Sequence, residues 1–227
     1  MNKLFLAVIV SLIPVMVMAQ SPVTTIFYSI ADEDGWVMEE SKNANVGDIL
    51  DSGADGGKAL RIGDMIRDRQ IMSIVSFDTE SLPDCADIVS ARLEMTRDGN
   101  QGADPFRSLG QIVVDVHPGD IGDDPDLQSR DFEFEVDYPD AAVMGQQGGN
   151  LSLHMVEIDP SMLNVEGRTQ MRLRFQRADN GNGDADYAGF YAGDNSSRDR
   201  HPRLVVEFFC ACDVGTDTDT DTDTDTQ

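Results

Sequence analysis

Strict alternation of apolar and polar side chains, sustained through segment after segment, is the feature that most constrains this chain. In IVSARLEMT, Val89, Ala91, Leu93 and Met95 share one face, and Ser90, Arg92, Glu94 and Thr96 share the other. QIVVDVH sets Ile112, Val114 and Val116 against Val113, Asp115 and His117, and DFEFEVD alternates through Phe132, Phe134 and Val136. MRLRFQ does the same through Met171, Leu173 and Phe175. A period of two puts successive side chains on opposite sides of a pleated strand, one buried and one wet. Further strands are expected near residues 25–29, 35–39, 60–63, 71–78, 151–158, 187–192 and 204–209. Only DPSMLNVE, residues 159–166, reads as a short helix. Many short one-sided strands, punctuated by DSGADGG and PGDIGDDPD, predict an all-β domain. The expected architecture is a two-sheet antiparallel β-sandwich of jelly-roll type, with at most one short helix. An all-parallel sheet is excluded, because its strands would read as continuous apolar runs.

Three segments divide the chain. Residues 1–19 place Lys3 before an apolar run from Leu4 to Met18 and end in Val17-Met18-Ala19. That is the layout of a cleaved signal peptide, and the run, interrupted by Pro14, is too short for a membrane span of ~20 residues. Residues 20–212 form one domain, long enough for a sizeable core. Residues 213–227 are a Thr-Asp run with no apolar residue after Val214, expected to be a disordered acidic spacer. The expected protein is therefore secreted, extracellular or at the cell surface, not inserted in a membrane, and monomeric.

The charge narrows the partners. The chain carries a net −25 and holds only three lysines, Lys3, Lys42 and Lys58. Loss of Lys3 with the leader gives −26, and six Asp belong to the tail, so −20 falls on the domain. Such a field repels nucleic acid and makes a strongly anionic partner a poor fit unless cations cluster locally. Lys42, Lys58, Arg61, Arg67 and Arg69 concentrate five of the few cations in the first third of the domain, as a local basic patch or a charge-balancing solvated face.

Motifs for chemistry are sparse. His117, His154 and His201 lack metal-ligand spacing, and the chain contains no GxSxG, HExxH or phosphate-binding glycine loop, so no enzyme is expected. RADNGNGDADY supplies Asp179, Asn180, Asn182, Asp184 and Asp186 with interleaved glycines, a set of hard oxygen donors suited to structural Ca²⁺ or to a solvated turn. Asp120, Asp123, Asp124 and Asp126 form a second, weaker set. Export favours one disulfide, joining Cys85 to Cys210 or to Cys212. In YAGFYAGD the alternation sends Ala188, Phe190 and Ala192 to the core. Tyr187 and Tyr191 then lie on the other face, with room between them at Gly189. Trp36, the one tryptophan, is expected in the core or at its rim.

Several stretches, in order, carry a resemblance. DGWVMEESKNANVGD, LRIG, RQIMSIVSFD, LPDCADIVSARLEM, YAGFYAGD and HPRLVVEF together resemble the DNRLRE domain family, also classed as carbohydrate-binding module family 96. The likeness spans roughly residues 24–209. It implies a jelly-roll β-sandwich in an extracellular protein that binds a polysaccharide or cell-surface glycan without catalysis. Tyr187, Tyr191, Lys42, Lys58, Arg61, Arg67 and Arg69 are the candidate contacts. The alternative is a structural surface module or spacer stabilised by calcium.

Overall fold

A computed structural model describes residues 21–52, 59–84 and 86–210. The expected signal peptide, the Thr-Asp tail, Lys58, Cys85 and Cys212 lie outside the described residues. The first six strands are β1 (Val23–Tyr28), β2 (Gly35–Glu39), β3 (Gly47–Ser52), β4 (Ala59–Met65), β5 (Arg69–Asp78) and β6 (Ala86–Gln101). Helix α1 (Pro105–Ser108) follows, then β7 (Ile112–His117), β8 (Tyr138–Met144), β9 (Leu153–Ile158), β10 (Arg168–Phe175), β11 (Asp186–Tyr191) and β12 (Arg203–Cys210).

Among the described residues every strand pairing is antiparallel, and the twelve strands join one hydrogen-bonded sheet whose main path runs β1-β12-β6-β11-β4-β5-β10-β7-β8. β2 pairs with β5 and carries β3, and β9 attaches to β6. The all-β antiparallel class and a single short α-helix agree with the sequence. The layers are continuous because of β6. Ala86 to Glu94 pair with β12 and Ala91 to Thr96 with β9, while Arg97 to Gln101 pair with β11. One 16-residue strand thus runs from one side of the molecule to the other, and the sheet curls strongly around it.

The curl encloses the main core. Leu93 and Leu204 pack in one cluster with Val75, Phe77, Leu173 and Phe190, all essentially inaccessible to solvent. The alternation read from sequence holds along most of this lining: Ala91, Leu93 and Met95 are buried, as are Ile112, Val114 and Val116. Val89 departs from it and is 47% exposed. The β6–β12 register shifts between Glu207 and Phe208, so that Ile88, not Val89, stands opposite Phe208. A bulge inserts one residue and resets which side chains face inward. On the outer face Glu94 joins Arg92 and Arg203, and Ser90 donates to Glu207.

Two local expectations are corrected. DFEFEVD is not a strand; Ser129–Phe132 form a 3-10 turn, and no strand lies between β7 and β8. Its carbonyls are taken by a side chain rather than by a neighbouring strand. Arg172 Nη1 donates to the carbonyl oxygens of Asp131, Phe132 and Phe134 at 3.1, 3.1 and 2.8 Å. Alternation survives because Phe132 and Val136 both point onto the outer face of the sheet, against Val37 and Met72 and against Ile74. The segment 159–166 is a 3-10 turn, Pro160–Met162, capped by Asp159. The α-helix lies instead at Pro105–Ser108, where Asp104 caps the amide of Phe106.

Phe190 has no exposed surface, so Phe190→Ala is expected to destabilise the protein by about 3–5 kcal/mol. That is a large share of a typical domain's stability of ~5–15 kcal/mol. Urea denaturation followed by circular dichroism measures it; a loss below about 1 kcal/mol would mean that the core closes without this ring.

Candidate functional site

The outer face of β11 carries Tyr187, Gly189 and Tyr191, and the sheet register decides what surrounds them. On one side Gly63, Arg61 and Ala59 of β4 stand opposite Tyr187, Gly189 and Tyr191. On the other, Gln101 and Gly99 of β6 stand opposite Tyr187 and Gly189. Gly189 and Gly99 are therefore lateral neighbours, and the surface between them has no side chain. A cavity of about 200 Å³ lies there. The two glycines form its floor, with Tyr187 and Arg61 on one side and Asp98 and Gln101 on the other; Asn100 also lines it, but it stands opposite the core residue Ala188 and its side chain accepts from Arg97.

A Cβ on Gly189 would come no closer than 3.8 Å to any neighbour, so this glycine is not needed to avoid a clash. A Cβ on Gly99 would meet nothing within 4 Å, but its φ of +119° is one that a side chain would strain. Gly63 is different. Its φ is +147°, and a Cβ there would run into the backbone of Asp186 and Tyr187, so this glycine is what lets β4 and β11 approach.

Arg61 is fixed at the cavity wall. Its amide donates to Ser73 Oγ at 2.9 Å, and that hydroxyl donates back to the Arg61 carbonyl at 2.8 Å. Its guanidinium lies 5.1 Å from the Trp36 ring and 5.5 Å from the Tyr187 ring. Sandwiching between two π faces holds a cation without neutralising its hydrogen-bond donors. Trp36 is itself held, donating to Asp51 at 3.2 Å.

Tyr191 lies on the predicted face but is not an open platform. It is 9% exposed, because Arg200 stacks over its ring at 4.9 Å and donates to its hydroxyl at 3.2 Å. The hydroxyl in turn bonds Asp98, which holds the phenol above its ordinary range. Tyr191 thus positions the carboxylate of the cavity wall. Among the described residues of the predicted basic patch, Lys42 sits 3.0 Å from both Asp68 and Asp179, Arg67 is exposed in the β4–β5 turn, Arg69 starts β5, and Arg61 lines the cavity. Asp98, Gly99, Asn100 and Gln101 were not singled out from sequence. Their signal was the run RDGNQ, four turn-like residues after an arginine, which form the end of a strand.

The proposed calcium ligands are turned toward one another. Asp186 accepts from the amide of Ala103, from Asn180 Nδ2 at 2.6 Å and from Asn182 Nδ2 at 2.9 Å. Burial raises its pKa, but these bonds outweigh burial and hold it below the ordinary range. The Asn180 and Asn182 oxygens accept the amides of Asn182 and Asp184, so both residues present N–H, not oxygen, to Asp186. Asp64 accepts from the amides of Asn180 and Asp186, and Asp68 from that of Gly183. Among the described residues no three His, Cys, Asp or Glu are grouped to hold a metal ion. Asp120 lies 4.0 Å from Arg168, and Asp123 and Asp124 close a 3-10 turn beside Asp126. Cys210, at the end of β12, stands opposite Ala86 in the ladder.

Neither a family model nor a curated protein matches the chain.

Two measurements follow from these groups. A calcium ion bound only by the folded state, at a hundredfold excess over its Kd, adds about 2.7 kcal/mol. The loop closes through its own N–H donors, so equal thermal midpoints in calcium and in EDTA are expected; an upward shift in calcium would show that the donors rearrange around the ion. Acidity gives the second. Burial raises Asp34 to about 7, and burial likewise raises Asp64 and Asp131 to about 6, from 3.8. Between those values the folded state holds protons that the unfolded chain has released, so these groups add stability at low pH that is lost as pH rises through 6–7. His154 opposes them: burial, then the charge of Arg97, lowers its pKa from 6.5, so protonation below that value costs stability. Three carboxyls against one imidazole predict a higher melting temperature at about pH 5 than at about pH 8, with the slope reduced in Asp34→Asn. A midpoint that falls on acidification across this window would contradict it.

Proposed function

We propose that the protein is a secreted, non-catalytic carbohydrate-binding module of jelly-roll type, and that its glycan site is the glycine-floored cavity on the outer face of β11. Export through residues 1–19 is part of this reading. One observation carries it: Gly189 and Gly99 leave an unfilled floor, at Gly189 with neither a clash nor a backbone conformation to require glycine, between a tyrosine ring and planar polar groups. A pyranose has an apolar face of C–H groups and an equatorial rim of hydroxyls, each both donor and acceptor. Tyr187 offers the apolar surface. Arg61 offers fixed donors, Asp98 acceptors, and Gln101 both. A concave site with few converging polar groups is what orients a small ligand.

The site supports binding rather than hydrolysis. Glycosidases generally flank the scissile bond with two carboxyl groups, whereas Asp98 is the single carboxylate among the lining residues and is engaged by Tyr191. The likeness to carbohydrate-binding module family 96 points the same way.

Affinity electrophoresis in gels containing different polysaccharides tests the reading. The protein is expected to be retarded by at least one. Gly189→Val is expected to abolish the retardation while keeping the melting temperature, because its Cβ has free space and a β-branched residue suits a strand. Migration unchanged by every polysaccharide, or full retardation of a folded Gly189→Val protein, would remove the cavity as a glycan site.

A further inference from the structure

A groove for a run of sugars would have to continue past the glycine floor, and the next aromatic ring along β11 is Tyr191. It follows Gly189 by two residues and shares its face. That ring is already covered. Arg200, from the connection between β11 and β12, lies over it at 4.9 Å and donates to its hydroxyl at 3.2 Å.

The cover is anchored at both ends of its own turn. Arg198–Arg200 form a 3-10 turn, in which the Arg200 amide donates to the Ser197 carbonyl at 2.9 Å and the His201 amide to the Arg198 carbonyl at 3.1 Å. Arg198 lies 4.2 Å over the ring of Tyr28 in β1, and the His201 ring meets the same tyrosine edge-on at 6.2 Å. Two arginines of one turn are thus stacked on tyrosines of two different strands, and the position of Arg200 is set by the fold.

The remaining sides of the floor are also occupied. Tyr187 precedes Gly189 by two residues, and Arg61 stacks on it with the Trp36 ring behind. Asp98 and Gln101 stand on the β6 side, and Asp98 is bonded to the Tyr191 hydroxyl. The space enclosed is about 200 Å³. That is less than the ~300–1,000 Å³ of a pocket for a drug-sized ligand. It is a pit for one sugar ring, not a groove for several.

Such a shape separates chain ends from chain interiors. An interior sugar carries two glycosidic bonds that leave from opposite parts of the ring, and both would have to cross the walls. A terminal sugar carries one. It can enter ring first, with the chain trailing into solvent and its free hydroxyls turned to Arg61, Asp98 and Gln101.

We infer that the site takes a single sugar at the end of a glycan chain, and that Arg200 sets this specificity by occupying the tyrosine that a longer run of sugars would need. This rests on the glycan-binding reading above and adds to it the mode of engagement. Arg200 touches no sugar; it acts through Tyr191.

Two experiments test it on the whole protein. Isothermal titration with alginate, polygalacturonate, xylan, glucomannan, laminarin and glycogen, each intact and after partial hydrolysis, counts binding sites per gram. The single sugar and the oligosaccharides of whichever polymer binds are then titrated into the unmodified protein and into Arg200→Ala. Sites per gram are expected to rise with hydrolysis as chain ends are created. In the unmodified protein the affinities for single sugar and oligosaccharide should agree within about threefold, whereas folded Arg200→Ala should prefer the oligosaccharide by about tenfold or more. Sites per gram that stay constant or fall on hydrolysis, or an unmodified protein whose affinity climbs about tenfold with chain length, would overturn this inference while the glycan-binding reading stood. These two readings need no variant. An unchanged length preference in folded Arg200→Ala would overturn the role given to Arg200. No binding of any polymer, fragment or single sugar would overturn both the inference and the reading beneath it.

Discussion

The pairing of β6 is the constraint on which the rest of the structure depends. A strand must satisfy the N–H and C=O groups along both of its edges, or leave them to water. At 16 residues, β6 is too long to serve one layer. It meets β12 and β9 through its first part and β11 at its end. That change of partner curls the sheet, encloses the main core and brings residues 98–101 beside β11. Core and candidate site thus have a common cause: the fold cannot close without placing Gly99 next to Gly189.

The outer face of the sheet is not simply wet. Residues 118–137 lie across it, and they are held by polar groups as much as by apolar ones. Arg172, buried with Asp115, accounts for three carbonyls of this segment. Gln170 accepts the amide of Ile121 and donates to the carbonyl of Pro125. An arginine that satisfies both a buried carboxylate and loop carbonyls offsets the desolvation of each, and removing it would strand them all. This explains why the strongly alternating DFEFEVD is no strand. Its phenylalanines do alternate, but its backbone is bonded to side chains.

The site was half legible in the sequence. Tyr187 and Gly189 could be placed on the outer face from alternation alone, and Arg61 was among the named cations. Tyr191 was placed on the correct face, yet its exposure depended on Arg200, which returns from the 193–202 connection to cover it. Lys42 looked available until the fold set it between Asp68 and Asp179. Asp98, Asn100 and Gln101 carry no strand signal of their own, because Asp, Gly and Asn usually mark a turn. β8 was missed for a related reason: its pairing with β7 is interrupted between Val114 and Val116, and Asp140 within it has a φ of +54°.

Alternation is a local property of the chain: adjacent side chains in a strand point to opposite sides whatever lies next to it. For that reason the sequence by itself determined the antiparallel β class, the inward set through Leu93, Val114, Leu173, Phe190 and Leu204, and the outward direction of Tyr187. Lateral neighbours are not local. They come from hydrogen-bonding between strands far apart in the chain, and one bulge or one change of partner moves them. Only the tertiary structure could therefore decide that Val89 leaves the core to Ile88, that Arg61 lies between Trp36 and Tyr187, and that two glycines from different strands meet to leave a cavity.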